Sequence, residues 1–329
     1  MSEITSTEDI RVTANSFRES RILLTAFELK IFTVLDKHMM TSVEVAEKIN
    51  ADPRGTDRLM NALCGMGLLK KVKGKFYNTD LSSGYLVEGK PDFMSSLYHT
   101  NHLWNTWSYL TNSVINGGSF AGEQNKAEKD EWVEAFISAM HYRGVQQGKI
   151  LASMINLSDV KKMLDVGGGS AAFSMEIVKI NNVIIATVLD LPHVIPLTKK
   201  YVTEAGLSDK FHFIEGNYLT QDFEGSYDLI LLSAIVHINS YDQNKLLIKR
   251  CADALNKNGM IIINDYVMSE DRTKPYQGAV FAINMLVGTV NGDTYTEKEI
   301  KEWFEAAGLL KIERKNTSFG SDLIIGIKE

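Results

Sequence analysis

Three glycines in a row, set between a short apolar run and an amphipathic one, constrain this chain more than any other stretch. In "KKMLDVGGGSAAFSMEIVKI", Lys161 to Ile180, a strand that ends in Asp165 has to turn through Gly167, Gly168 and Gly169 into a helix. Glycine has no Cβ, so such a turn lets a ligand come up against bare backbone. After residue 156, short apolar runs ("MLDVG", "IIATVLD", "FHFIEGN", "YDLILLS", "GMIIIND", "LLKIERKN") alternate with helical segments, and "DLIIGIKE" closes the chain after a turn at Gly320. The alternation predicts a parallel α/β sheet with a final hairpin strand. Open sheets of this kind place ligands at the carboxyl ends of their strands.

The first hundred residues follow other rules. From Ile10 to Asp36 apolar residues recur at helical spacing, and beyond Ile22 they cover more than one helix face, which suggests burial against a partner chain. Residues 41–80 then read as helix, turn at Asp52-Pro53, second helix and a hairpin around Lys73-Gly74, a winged-helix pattern. Such a pattern can read DNA. Here the second helix offers Arg54 and Arg58 beside Asp57, and most of the local basic charge sits in the wing, so a structural or dimerising winged helix is favoured. Residues 91–150 are helical and aromatic, with Trp104, Trp107, Tyr109, Trp132 and Phe136 around the loop "NGGSFAGEQNKAEKD", and core packing accounts for most of these rings. The expected division is a winged-helix domain over 1–100, a helical segment over 101–155 and an α/β domain over 156–329.

Charge and cysteine usage remove several function classes. A net charge of -6 over 329 residues argues against general affinity for nucleic acid or an anionic membrane. Cys64 and Cys251 are too few and too far apart for a disulfide framework or a zinc cluster and are read as reduced thiols of a cytoplasmic protein. The N-terminus lacks a basic start followed by an apolar run, no segment approaches 18 uncharged apolar residues, and His99, His102, His141 and His193 have no metal spacing, so no membrane span and no metal are expected.

What the glycine turn holds has two readings. Gly167-x-Gly169-x-x-Ala172 fits the dinucleotide fingerprint, with Asp190 at the end of the next strand placed for a ribose hydroxyl. Asp165, two residues before the first glycine, would face a pyrophosphate unfavourably and suits a cation such as a sulfonium amino acid; as a bare polar strand end it would need no ligand. S-adenosylmethionine combines a ribose with a positive centre and lacks phosphate.

Together these segments resemble the class I, S-adenosylmethionine-dependent small-molecule O-methyltransferases of the plant caffeate and acetylserotonin type and their bacterial relatives. The resemblance covers nearly the whole chain and rests on "LDVGGGSAAFS", "LDLPHVI", "GNYL" and "LLSAIVHINSYDQ". It implies a Rossmann-like seven-stranded methyltransferase sheet preceded by a helical, winged-helix dimerisation domain, and a homodimer with interlocked N-terminal helices. It also implies S-adenosylmethionine held by Asp165, Gly167, Gly168, Gly169, Asp190, Leu191, Asn217, Tyr218 and Ser233, and a small-molecule acceptor lined by Phe136, Met140, Asn284 and Met285. Met and Phe are common core residues as well.

The resemblance further makes His237 the general base and Asp265, in "IINDYVM", its acidic partner. A lone His is more often structural, but this one falls just past the fourth strand, where ligands sit. Asp265 reads equally well as a turn-forming residue after the fifth strand. Three positions depart from the family pattern: Asn217 stands for an acid beside the adenine, Ile238 for the Asp after the histidine, and Thr294 for a second carboxylate that would support the base. The leading expectation is therefore methyl transfer to a hydroxyl of an aromatic or similar small molecule. The alternatives are a C-methylating or non-methylating protein of the same fold, and a winged-helix regulator with a ligand-sensing domain.

Overall fold

The computed structural model describes residues 3–119 and 129–329; segment 120–128 of the aromatic region's loop and the side chain of Trp132 lie outside it. The chain divides into two compact units, Met1–Leu103 and Trp104–Glu329.

In the first unit, helices Ser42–Lys48 and Pro53–Gly65 are followed by strands β1 (Leu69–Val72) and β2 (Lys75–Asn78). Thr41 and Glu44 close a capping box on the first helix, and Asp52 caps the second ahead of a proline at its start. Val72 pairs with Lys75, leaving Lys73 and Gly74 as a two-residue turn with φ of 49° and 79°. Positive φ at both central residues is the turn whose twist matches a hairpin, which is why glycine is at 74. Two of the basic side chains here are engaged locally: Arg58 of the second helix pairs with Asp57 at 2.6 Å, and Lys71 of the wing donates to Asn61 Oδ1 at 2.9 Å.

Upstream, the expected helix over 10–36 is broken into Thr7–Asn15, Phe17–Glu28 and Ile31–Val34, the last break marked by Lys30 at φ 55°. The broken chain folds back on itself. Leu24, Ala26, Phe27, Ile31, Phe32 and Leu35 are buried within this chain, most of them in a core with Met60, Leu63 and Phe76. Most of the apolar excess read beyond Ile22 is thus taken up by the unit's own packing. The large apolar side chains left exposed lie earlier, at Ile4, Ile10, Val12 and Phe17.

The second unit is built on β3 (Lys162–Val166), β4 (Ile185–Asp190), β5 (Phe211–Glu215), β6 (Tyr227–Ser233), β7 (Leu255–Asp265), β8 (Val267–Met268), β9 (Tyr295–Thr296), β10 (Leu309–Asn316) and β11 (Asp322–Lys328). Seven of these form one sheet in the order β10-β11-β7-β6-β3-β4-β5, parallel except for β11, which runs against both its neighbours. The final hairpin strand read from "DLIIGIKE" is thereby inserted beside β7. Alternation along β6 sends Ile230 and Leu232 to one face and Leu229 and Leu231 to the other, into two separate cores. Both faces being covered explains the near-continuous apolar strands. Strand order reverses between β3 and β6, so the carboxyl ends of these strands flank the crevice where such sheets take ligands.

The long helix Lys129–Met154 packs on helix Ala172–Ile180, which follows the glycine turn. Gly144 and Gly148 make this possible. A Cβ on Gly144 would lie 2.8 Å from Ala172 Cβ, and one on Gly148 3.1 Å from Phe173 Cα. Neither neighbour is a flexible tip that can move aside. Gly144→Val is expected to destabilise the protein by about 1–3 kcal/mol through overpacking. Gly65→Ala, where an added Cβ meets nothing within 4 Å, should be neutral or slightly stabilising. Urea unfolding of the two variants checks both outcomes.

Candidate active site

The site grows from the carboxyl ends of β3, β4, β6 and β7. After β3 the chain enters the glycine turn, with Gly167 at φ 65° and Gly169 at φ 57°. The left-handed region favours glycine at both positions, and sterics reinforce the choice at the first. A Cβ on Gly167 would lie 2.3 Å from Ile235 Cδ1, and one on Gly168 2.7 Å from Asp165 Cγ. The turn is therefore pressed down on the residues beneath it and bare above.

Asp190, at the end of β4, is bound into this turn. The Gly169 N–H donates to its Oδ2 at 2.8 Å, and the Leu191 N–H donates to its Oδ1 at 2.7 Å. Each oxygen spends one lone-pair direction on backbone and keeps another, which suits two neighbouring hydroxyls. Burial pushes its carboxyl above the ordinary range, against the two N–H donors that hold it down. Thr198 anchors the turn from below by donating to the Gly169 carbonyl at 2.5 Å.

Asp165 faces inward. It is 2% exposed and accepts from Ser174 Oγ at 2.6 Å, beneath Gly168. Burial pushes its carboxyl up to about 7, with Asp190 adding to the shift and the Ser174 hydroxyl opposing it. In this structure it supports the glycine turn from inside the sheet.

Tyr218 stands on the other side of the turn, its Cε1 3.7 Å from where a Gly167 Cβ would be. Arg250 holds the segment behind it by donating to the Tyr218 carbonyl at 2.7 Å and to the Gln221 carbonyl. Asn217 is exposed, and its Oδ1 accepts from the Leu219 N–H at 2.9 Å, which fixes the bend and leaves the amide NH2 facing outward. Ser233, ending β6, accepts from Asn264 Nδ2 at 2.9 Å.

His237 and Asp265 come together across 28 positions of sequence. His237 sits on the turn Val236–Ile238 after β6, and its Nδ1 lies 2.9 Å from both oxygens of Asp265, the last residue of β7. Both are almost wholly buried, at 8% and 4% exposure. The Tyr266 N–H also donates to Asp265 Oδ1, at 2.8 Å. A carboxylate against Nδ1 fixes the proton there and leaves Nε2 with a free lone pair. Phe281 closes on the imidazole ring edge-to-face at 4.7 Å. Thr294, expected where relatives of the resembled family carry a second carboxylate, is buried, and its loop abuts the histidine: the Asp293 N–H donates to the His237 carbonyl at 3.0 Å. The Asp293 carboxylate itself pairs with Arg272 at 3.3 Å.

The residues expected to line an acceptor lie on two helices. Phe136 and Met140 are half-buried on Lys129–Met154, and Ile137, between them, comes within 3.5 Å of a Gly169 Cβ position. Asn284 and Met285 are on Tyr276–Gly288, where Asn284 Oδ1 accepts from the Trp107 indole at 2.9 Å. Sequence reasoning missed Phe281, although it lies one helical turn before Asn284. It also missed Ser174, Thr198, Arg250 and Asn244, each an ordinary polar helix position, and Asn239, in the link between the His237 turn and the next helix. His141 was set aside as a metal ligand; its ring stacks on Tyr201 at 4.0 Å and its Nδ1 lies 3.0 Å from Ser170 Oγ, beside the glycine turn. Among the described residues no three His, Cys, Asp or Glu side chains gather as a metal site.

Residues 107–310 match the family described as the O-methyltransferase domain, and residues 12–88 the O-methyltransferase dimerisation domain. The chain belongs to this family of O-methyltransferases. It is 27% identical to the 3-hydroxy-5-methyl-1-naphthoate 3-O-methyltransferase of Streptomyces sahachiroi over 305 residues, 91% of this chain and 88% of that one. It is 25% identical to the tetracenomycin polyketide synthesis 8-O-methyl transferase of Streptomyces glaucescens over 331 residues, 97% and 96% of the two chains. Among solved structures, PigF with SAH superposes with a TM-score of 0.89 at 21% identity, over 98% of this chain and all of that one, a likeness of fold. The reaction is S-adenosylmethionine-dependent methyl transfer to a hydroxyl of a small molecule. The residues present fit that cofactor: a bare glycine turn, a carboxylate with two free acceptor directions for a ribose, and no Lys or Arg between Asp165 and Asp190 except Lys179, which pairs with Glu176 at 2.6 Å. No helix among the described residues is long and apolar enough to cross a membrane.

The raised pKa of Asp165 has a consequence for stability. Unfolded, this carboxyl titrates near 3.8; folded, at about 7. Below the first value both states hold the proton and the folded state bears no penalty. Between the two values the unfolded chain releases its proton while the folded one keeps it, so this contribution is lost as pH rises and levels off above 7. Thermal unfolding without cofactor from pH 4 to 8 should show Asp165→Asn gaining on the native protein across that window. Parallel curves would mean that Asp165 is ionised in the fold throughout.

Proposed function

We propose that the acceptor is a phenol or a similar aromatic hydroxyl and that His237 removes its proton as methyl transfer proceeds. The observation that carries this reading is the His237–Asp265 pair, buried at the carboxyl edge of the sheet with Nε2 left to accept. When bound, S-adenosylmethionine supplies an electrophilic methyl group on a sulfonium. The chain's own residues do the rest. Asp190 with Leu191, and Tyr218 with Asn217, hold the nucleoside; Gly167, Gly168 and Gly169 admit it closely; and Ser233, at the carboxyl end of β6, lines the cleft. Asp165 braces the turn.

A phenol with a pKa near 10 attacks poorly until its proton leaves, and an imidazole with an ordinary pKa near 6.5 can take it at neutral pH. His237 Nε2 takes that proton while Asp265 holds Nδ1–H and stabilises the imidazolium that results. Phe136, Met140, Asn284 and Met285, with Phe281, would align a flat acceptor, and alignment is a large part of the acceleration in an in-line displacement. Two relatives, one named for a hydroxynaphthoate and one for 8-O-methyl transfer in tetracenomycin polyketide synthesis, fit this acceptor class. The segment 101–155 would then serve the acceptor pocket, with the winged-helix domain in 1–100 and the catalytic domain in 156–329. We place the chain in the cytoplasm on its two free thiols, Cys64 and Cys251.

His237→Ala should leave S-adenosylhomocysteine binding nearly unchanged and lower the methylation rate about 10²- to 10⁴-fold, the usual worth of a positioned general base. Raising the pH should restore part of the rate, because more acceptor is then ionised unaided. Asp265→Asn should lose much of the same activity. Rates on a panel of phenols, with cofactor binding measured by calorimetry, decide this; full activity in His237→Ala points instead to an already ionised or a carbon acceptor.

The dimerisation domain implies a homodimer, and the exposed Ile4, Ile10, Val12 and Phe17 give it an apolar surface. Sedimentation at micromolar concentration should give twice the chain mass, and a monomer would refute it.

A further inference from the structure

From Tyr218, whose ring lies beside the glycine turn, to the turn that carries His237, the polar atoms form one continuous chain. The Tyr218 hydroxyl donates to Asn239 Oδ1 at 3.0 Å. Asn239 Nδ2 donates to Asn244 Oδ1 at 3.0 Å, and Asn244 Nδ2 donates to the carbonyl of Val236 at 2.8 Å. Val236 is the residue before His237. The last member fixes the direction of the whole chain: a backbone carbonyl can only accept, so Asn244 must turn its NH2 towards it and its oxygen towards Asn239. That leaves Asn239 Oδ1 for a phenol that donates. Burial pushes the Tyr218 hydroxyl up to about 12, so it keeps its proton near neutral pH.

Both amides are out of water, Asn244 entirely and Asn239 at 3% exposure. The Asn239 carbonyl accepts from the Tyr295 hydroxyl at 2.6 Å, and its N–H donates to the Val236 carbonyl at 3.4 Å. Helix Tyr241–Ala254 does not need them to begin, because Ser240 and Gln243 already close a capping box at its start. A buried polar network with its members paired is rigid, and cutting it leaves unpaired groups in a dry place. Asp265 and Phe281 fix the imidazole ring; the amides fix the backbone that bears it.

We propose that Asn239 and Asn244 are positioning residues that hold the His237 turn and tie it, through Tyr218, to the cofactor's glycine turn. The proposal rests on the reading of His237 as the base for its catalytic meaning, but not for its geometry. Removing the Asn244 amide takes away the shorter of the two hydrogen bonds to the Val236 carbonyl and leaves Asn239 Nδ2 without its acceptor, and the imidazole then samples more than one tautomer and orientation. Removing only the Tyr218 hydroxyl leaves its ring beside Gly167 and cuts the link between the two turns.

The test uses the full chain labelled with ¹⁵N-histidine, with S-adenosylhomocysteine as the probe ligand, and the variants Asn244→Ala and Tyr218→Phe. In the native protein the two His237 ring nitrogens should give the well-separated signals of a single tautomer protonated at Nδ1, assigned by their loss in His237→Ala, and these should shift when the probe binds. In Asn244→Ala the two signals should draw together, with probe affinity within about threefold of native. In Tyr218→Phe the shift on probe binding should fall to less than half. Native-like His237 signals in Asn244→Ala, or a native-like response in Tyr218→Phe, overturn the proposal. If Asn244→Ala does not fold, the Tyr218→Phe response decides alone. Full methylation activity in His237→Ala would remove the base reading and leave these spectra, and the positioning they report, untouched.

Discussion

A carboxylate taken out of water has to be met by donors, and this requirement organises the whole ligand edge of the sheet. Three strands end in such a group. Asp165 near the end of β3 takes the Ser174 hydroxyl, Asp190 at the end of β4 takes the N–H groups of Gly169 and Leu191, and Asp265 at the end of β7 takes the His237 ring and the Tyr266 N–H. In each case the donor comes from the segment that leaves the strand or from the neighbouring crossover. The acids thus fix the shape of the glycine turn and the aim of the imidazole together. Their different donors give them different characters. Asp165, with one hydroxyl partner, is held towards its neutral form, whereas Asp190 keeps acceptor capacity on its exposed side.

Close approach is the second constraint, and it is met by leaving atoms out. Gly167 and Gly168 let the turn rest on Ile235 and Asp165, while Gly144 and Gly148 let the long helix rest on the helix behind the turn. The consequence is a glycine turn pinned from two sides. Ile137 reaches Gly169 from one of them, and Tyr218 reaches Gly167 from the other. A ligand entering over bare backbone meets a surface that has little freedom left to lose, and preorganisation of that kind favours binding.

The sequence carried the sheet clearly because each strand is a short apolar run closed by a polar residue, and the glycine turn is the strongest local signal in the chain. The hairpin at Lys73-Gly74 was equally legible, being a rule about neighbours. The partner of His237 was legible only through resemblance, since a separation of 28 residues is decided by which strands lie side by side. The apolar stretch after Ile22 misled for a related reason. Periodicity reports how much surface must be covered and says nothing about what covers it; a left-handed Lys30 turned the chain back on its own core. Gly144 and Gly148 are unfavourable in a helix by propensity alone, and their purpose depends on Ala172 and Phe173, far along the chain.

The hydroxyl at Thr294 follows from the same electrostatics. A second acid there would lie in a loop whose backbone abuts His237, at a position 2% exposed. Two like charges in a dry site oppose one another unless a cation sits between them, and an imidazole is such a cation only after it has taken a proton. A second carboxylate would therefore favour the protonated histidine in the resting enzyme as well as in the reaction. With Thr294 in that place and the Asp293 carboxylate turned to Arg272, Asp265 is left to orient the ring.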